Sequence, residues 1–232
     1  FGAWHAGCAA VPMNARLHAR EMAWILENSG ARVCFVGADI AEELADAAPE
    51  GVAFVVAGSP RYREMTEAEP APIADPGAND LAWLFYTSGT TGRPKGAMLT
   101  HGNLRAMNAS YFASVDTIAP EDCIIHAAPM SHGSGLYILP HVARGACQVV
   151  PESGGFDPDE VFTLLRTWRG ATFFFAPTMV TRLLGAPGLA EADTSNLKTV
   201  VYGGAPMYVE DCLKALDRLG PVLVQIYGQG EA

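Results

Sequence analysis

The amino-acid sequence predicts an α/β protein built as two stacked subdomains with mostly parallel sheets. Three observations carry that expectation. Apolar runs of β type alternate with runs of helical period along the 232 residues, short glycine- and proline-bearing turns separate them, and 50% of the residues are hydrophobic, enough to bury a core. In order, a small-residue helix is expected over 2–10, a short strand near Val11, a helix over 19–29 ended by Gly30, and a strand over 32–36. A helix at 39–47 and a strand at 52–56 follow. Residues 58–79 are proline-rich and poor in core residues, and read as an exposed connection. LAWLFYT, 81–87, is a strand. A loop over 88–95 leads to a short strand at 96–100 and a helix over 103–113.

The second half repeats the pattern. Strands are expected at 123–127, 147–150, 171–175, 199–202 and 222–226, with helices at 136–143, 157–168, 177–184 and 208–218 between them. Asp157 followed by Pro158 is a strong helix start, a capping carboxylate before a first-turn proline. The division between subdomains is expected near 115–125, giving 1–118 and 119–232, with a ligand cleft at the carboxyl ends of the strands.

Composition removes several classes of function. The formal net charge is −10, and no Lys/Arg-rich run occurs, which argues against nucleic acid or an anionic membrane surface as partner. The five cysteines are an odd number, widely spaced and without a C-x-x-C pair, as expected for reduced thiols in a cytoplasmic protein. No stretch of about 18 apolar residues is present to span a membrane. The chain opens without Met inside an apolar pattern and stops just after a glycine-rich turn, so the interior of a longer protein is expected. No motif encodes an oligomeric state, and a homodimer stays open.

The densest chemistry lies in YTSGTTGRPKGAMLTH, 86–101. Hydroxyls at Thr87, Ser88, Thr90 and Thr91, glycines at Gly89, Gly92 and Gly96, and the mobile charge of Lys95 form a phosphate grip. A flexible surface loop is the alternative, and the β-type frame on both sides favours the grip. It is not a Walker loop, because Pro94 separates Arg93 from Lys95 and Gly96 replaces the final hydroxyl residue. Pro94 also prevents the loop from leading straight into a helix. Without a helix dipole, triphosphate would be held by backbone amides, hydroxyls and Lys95, with Mg2+ sharing the charge.

Three further segments fall at strand ends. In APMSHGSG, 128–135, His132 stands beside Gly133 and Gly135; a lone histidine is more often structural, but the glycines leave room for a ligand beside its ring. VVYGGAP, 200–206, ends in the bare backbone of Gly203 and Gly204, where a flat ring could lie or the strand could simply turn. In VLVQIYGQGEA, 222–232, Tyr227 could stack on a base and Glu231 hold Mg2+, or both could be surface groups.

Together these segments resemble the adenylate-forming superfamily: acyl- and aryl-CoA synthetases, firefly luciferase and the adenylation domains of peptide synthetases. YTSGTTGRPKG matches that family's phosphate-loop signature nearly residue for residue, PMSH, YGGAP and YGQGE follow in the family's order, and FGAWHAGCAAVPMN is similar to an earlier family segment, so the resemblance covers the whole chain. It implies an internal portion of the large N-terminal domain and a two-step reaction, in which a carboxylic acid and MgATP give acyl-AMP and pyrophosphate and coenzyme A then takes the acyl group. It further implies that Thr87, Ser88, Gly89, Thr90, Thr91, Gly92 and Lys95 hold the β- and γ-phosphates. Gly203, Gly204, Ala205 and Pro206 would border adenine and the acid pocket, Tyr227 and Gly228 would lie at adenine, Glu231 would ligate Mg2+, and His132 would stand at the carboxylate end of the acid tunnel. Lys95, His132 and Glu231 are thus the catalytic candidates.

The tunnel candidates His132, Gly133, Phe175, Thr178, Met179, Tyr202 and Gly204 are mostly apolar or small. No acidic residue occurs over 124–148 to pair with a substrate ammonium, so a fatty or aryl acid is expected rather than an amino acid. The resemblance has one visible departure, Gly230 where the family usually has threonine. The family's ribose-binding aspartate and catalytic lysine lie beyond Ala232, so this chain alone is expected to be inactive. A non-catalytic nucleotide- or acid-binding module is the alternative.

Overall fold

The computed structural model describes residues 1–87 and 93–229. The phosphate-loop candidates Ser88, Gly89, Thr90, Thr91 and Gly92, and the metal candidate Glu231, lie outside the described residues. The chain forms two compact units, Phe1–Asn103 and the segment from Leu104 onward.

The first unit contains α1 (Gly2–His5), α2 (Ala19–Ser29), β1 (Val33–Val36), α3 (Ala41–Ala47), β2 (Ala53–Val56), α4 (Pro60–Glu67), β3 (Leu81–Thr87) and β4 (Lys95–Thr100). Helix α2 starts at a reciprocal cap: Arg20 N–H donates to His18 Nδ1, and His18 N–H donates to the Glu21 carboxylate. It stops at Gly30, which takes the left-handed conformation at φ 65° as anticipated. Its Met22 and Leu26 pack with Cys34, Val36 and Leu44, closing a small core over the parallel pair β1–β2.

Two expectations for this unit are corrected. The first helix ends at His5 rather than residue 10, because the chain turns through Gly7 at φ 71°, and the strand near Val11 reduces to a single bridge from Ala10 to Trp83. The connection 58–79 contains helix α4, nucleated by Pro60 at its first position and by Ser59 Oγ accepting from Tyr62 N–H; it buries none of its residues, which is why apolar periodicity does not reveal it. Strands β3 and β4, whose relative direction is not part of the expectation, are antiparallel, registered from Leu81↔Thr100 to Thr87↔Lys95. A connection as short as 88–94 cannot make the crossover that parallel strands need.

Helix α5 (His101–Ser114) carries the chain from the first unit into the second. The second unit holds β5 (Cys123–Ile125), α6 (Gly133–Leu136), α7 (Ile138–Ala143), β6 (Cys147–Val149), α8 (Pro158–Thr167), β7 (Ala171–Phe175), α9 (Pro177–Leu184), a 3-10 turn (Pro187–Ala190), β8 (Leu197–Tyr202), α10 (Val209–Leu219) and β9 (Leu223–Gln225). Its sheet is parallel throughout, in the order β6-β5-β7-β8-β9. Asp157 caps α8 as expected, its carboxylate accepting from Asp159 and Glu160 N–H at 2.9 and 3.0 Å. The helix expected over 136–143 is two short helices broken at Tyr137, because Pro140 has no N–H to return to Leu136 and fits only in a first turn.

Both faces of this sheet are covered, so its strands read as unbroken apolar runs rather than alternating ones. On one face Cys123, Ile125, Phe173, Phe175, Val200 and Tyr202 pack with Val161, Phe162 and Leu165 of α8, Val180 and Leu183 of α9, and Ala215 and Leu219 of α10. On the other, Ile124 and Val201 pack with Tyr111, Ile118 and Tyr137, and Phe174 and Ile226 join them. At the amino edge Lys198 ties the sheet to the preceding loop, with Nζ 2.6 Å from the Asp122 carboxylate and 3.7 Å from Asp116. Among the described residues no helix is long and apolar enough to cross a membrane.

Candidate functional site

The site candidates divide between the two units. In the first, Thr87 closes β3 and pairs with Lys95, the first residue of β4. The Lys95 side chain is exposed. A Cβ on Gly96 would fall 2.9 Å from Cζ of Tyr86, so this glycine is required by the tyrosine ring packed across the hairpin.

In the second unit the candidates collect at the carboxyl edge of the parallel sheet, as the fold class requires. The turn carrying His132 follows β5 and lies over β7: a Cβ on Gly133 would approach the Phe174 ring to 2.5 Å. Gly203 follows β8 and donates its N–H to the Phe175 carbonyl at 3.3 Å. It is buried, and a Cβ there would meet Ile226 at 2.7 Å. Gly204, at φ 83°, faces open space, and Ala205 and Pro206 beyond it are exposed. Tyr227 follows β9 with its side chain 98% exposed, and Gly228 beside it is exposed too. Thr178 is exposed on the first turn of α9.

The acid-pocket candidates do not all point the same way. Tyr202 and Met179 pack into the core on the Phe175 face, and burial, with Cys212 alongside, raises the Tyr202 phenol above its ordinary range. Phe174, under the His132 turn, belongs to the opposite face. His132 and Gly133 are therefore near Phe174 and Tyr137, whose rings are 5.6 Å apart, while Tyr202 brings its backbone, not its ring, to the edge.

The ring of His132 is exposed, with Nδ1 2.9 Å from Ser131 Oγ, and partial desolvation lowers its pKa, so it is neutral at pH 7. Sequence reasoning missed the group that supports it. His126, the residue directly after β5, is buried with Nδ1 2.8 Å from Ser134 Oγ and Nε2 2.9 Å from Gln148 Oε1. The amide oxygen only accepts, so Nε2–H donates to Gln148, and Nδ1 accepts from the Ser134 hydroxyl. Burial lowers the His126 pKa and keeps the ring neutral, as this arrangement requires. Ser134 is wholly buried in the turn next to His132, so the chain Gln148–His126–Ser134 fixes that turn to the sheet. His126 and Gln148 meet only through the β5–β6 pairing, Ile124↔Gln148, and no local pattern announces it.

His141 on α7 is a second buried histidine outside the edge. It donates Nδ1–H to the Tyr137 carbonyl at 2.8 Å, its Nε2 is buried without a partner, and burial pushes its pKa down to about 4. Among the described residues no group of three His, Cys, Asp or Glu side chains gathers to hold a metal.

An antiparallel hairpin in one unit and a five-stranded parallel sheet in the other are elements of the fold of adenylate-forming N-terminal domains. The chain belongs to the AMP-binding enzyme family, whose family model matches residues 1–232. It is 36% identical over 235 residues to feruloyl-CoA synthase of Amycolatopsis sp., covering 100% of this chain and 46% of that protein. It is 31% identical over 215 residues to the long-chain-fatty-acid–CoA ligase FadD13 of Mycobacterium tuberculosis, covering 89% of this chain and 42% of the relative. Among solved structures, the inhibitor-bound N-terminal domain of FACL13 from Mycobacterium tuberculosis superposes with a TM-score of 0.85 at 27% identity, over 98% of this chain and 58% of that one. ATP-bound MatB from Rhodopseudomonas palustris does so at 0.80 and 26%, over 98% and 46%. The chain thus spans about half the length of the feruloyl-CoA synthase it matches, 46%.

Proposed function

We propose that the protein containing this chain activates a fatty or aryl carboxylic acid with ATP and passes the acyl group to coenzyme A. A carboxylate oxygen attacks the α-phosphorus, the bond to pyrophosphate breaks, and acyl-AMP forms. The coenzyme A thiol, losing its proton, then attacks the acyl carbonyl and AMP leaves. The observation that carries this reading is the order of parts: YTSGTTGRPKG on a hairpin, followed by His132, Gly203-Gly204 and Tyr227 at one sheet edge.

The described residues fit a nucleotide. Lys95 is an exposed cation at the exit of the loop, and with Thr87 and residues 88–92 it would hold the β- and γ-phosphates and steady the leaving pyrophosphate. Bare backbone at Gly204, with nothing within 4 Å of where a Cβ would stand, leaves an open edge for adenine, and the exposed Tyr227 ring can stack on it. Ala205, Pro206 and Gly228 would border the base. Neutral His132 would meet the substrate carboxylate as a hydrogen-bonding group, with Gly133, Thr178, Met179 and the Tyr202–Gly204 backbone around the acid. Mg2+, for which Glu231 is the proposed ligand, would share the phosphate charge.

Relatives named for feruloyl, 3-hydroxybenzoate and long-chain fatty acids support the fatty-or-aryl class. The five free thiols support a reducing, cytoplasmic setting. The 232-residue chain by itself is proposed to form no acyl-CoA, the remaining steps belonging to the rest of a protein of the relatives' length. The test is acid-dependent ATP–pyrophosphate exchange by the full protein with a panel of fatty, benzoic, cinnamic and amino acids. Exchange with amino acids alone, or with none, refutes the reading.

A further inference from the structure

A phosphate loop that opens a helix is aligned by that helix, whose first amides point at the anion. Here the loop joins two strands, so its alignment must come from elsewhere. The β3–β4 ladder closes its base at Thr87↔Lys95, and beyond that base helix α2 holds both stems. On the incoming stem, Tyr86 donates its hydroxyl proton to Asn28 Oδ1 at 2.7 Å. On the outgoing stem, Trp24 Nε1–H donates to the Pro94 carbonyl at 3.3 Å, and the Arg93 guanidinium carbon sits 4.6 Å from the centre of the Trp24 ring. Trp24 and Asn28 are four residues apart, one above the other on a single face of α2.

We propose that Trp24 and Asn28 are positioning residues for ATP binding, setting the spacing and direction of the two stems, 86–87 and 93–95, that flank the phosphate-loop sequence; this rests on the adenylating reading above. Two consequences follow. Arg93 is a tether: its charge is committed to the Trp24 face, which leaves Lys95 as the mobile cation on the outgoing stem. And α2 divides its duties by face. Met22 and Leu26 serve the core, whereas Trp24 is half-buried, lies outside that core and borders an open depression of about 340 Å3 with Arg20, Ala23, Glu27, Ala47 and Pro49. A smaller residue at 24 therefore enlarges a surface depression rather than a core cavity.

The test is steady-state ATP–pyrophosphate exchange by the full protein, with KM for ATP and for the acid determined separately. Trp24→Leu removes both the hydrogen bond and the cation–π contact and should raise KM for ATP roughly tenfold. Trp24→Phe keeps a ring under Arg93, and Asn28→Ala releases only the incoming stem, so each should raise it about threefold. The KM for the acid should stay within about twofold in all three. An unchanged KM for ATP overturns the proposal, and so does a parallel rise in both KM values, which would indicate general loosening. If circular dichroism shows Trp24→Leu to be misfolded, Trp24→Phe and the exposed Asn28→Ala decide. Absence of exchange in the wild-type protein refutes the adenylating reading and this proposal with it; exchange in the wild type with unaltered variants refutes this proposal alone.

Discussion

The hairpin of the first unit and the five-stranded sheet of the second solve different problems with the same raw material, apolar strands joined to glycine-bearing segments. Along β7 and β8 most side chains are buried on one face or the other, and Phe173, Phe175 and Val200 have 0% exposure. The glycines there are placed by what would collide with them, Ile226 against Gly203 and Phe174 against Gly133. Along β4, by contrast, Met98 is 70% exposed and Lys95 points to solvent. Beyond their own ladder, its stems are tied to α2 by polar contacts to Asn28 and Trp24 and by Arg93 over the Trp24 ring. The lesson is a separation of roles: the sheet buries both faces and presents backbone at its edge, while the hairpin buries Ala82, Trp83, Phe85 and Tyr86 of β3 and turns β4, with the charge of Lys95, to solvent.

The sharpest way to break that comparison is to empty one position in each region. Phe175→Ala, in the sheet core, should lose about 3–5 kcal/mol of unfolding free energy in urea titrations. A loss below about 1 kcal/mol would mean that the sheet does not hold the unit together. Lys95→Ala, on the hairpin, should leave stability within about 0.5 kcal/mol. It should nonetheless slow ATP–pyrophosphate exchange by roughly 10²–10³. An unchanged exchange rate would remove Lys95 from the phosphate assignment.

Acidification should strike the sheet unit selectively. The folded-state pKa of His141 is depressed to about 4 from the ordinary 6.5, so folding favours the neutral ring. Its contribution is therefore complete above pH 6.5 and is lost as pH falls from 6.5 toward 4, amounting to about 3 kcal/mol. His126, depressed in the same direction, adds to the loss. Urea midpoints measured between pH 7 and 4.5 should drop steeply in the wild type and less steeply in His141→Phe; equal slopes would exclude His141 as the source.

A smaller effect should sharpen the picture of the sheet edge. Gln148→Leu deprives His126 of its acceptor and should cost about 1–2 kcal/mol of stability while raising KM for the acid more than KM for ATP. Trp24→Phe, described above, should do the reverse to the two KM values. If both variants move the same KM, the assignment of the hairpin to phosphate and of the His132 turn to the acid is wrong.

Much of this was legible along the chain. Pro158 after Asp157, Gly30 after α2, and the apolar runs of β7 and β8 mark elements through local chemistry, and the order of YTSGTTGRPKG, PMSH and YGGAP marks the family. The misses share one cause. Helix α4 has no buried stripe to advertise it, the His126–Gln148 contact spans 22 residues through a strand pairing, and Trp24 reaches Pro94 across 70. Tyr202 shows the same limit, since a strand buried on both faces gives no sign of which face its last ring will take.

By itself, then, the sequence determined which segments are strands and helices, where most begin and end, and which of them carry phosphate-binding chemistry, because caps, turns and hydroxyl–glycine loops act over a few residues. Only the tertiary structure decided that the Tyr202 ring turns into the core while the His132 turn lies over Phe174, and that α2 holds the stems flanking the phosphate-loop sequence. Those outcomes depend on which distant surfaces are buried against one another, and burial is settled by the packed whole rather than by any stretch of chain.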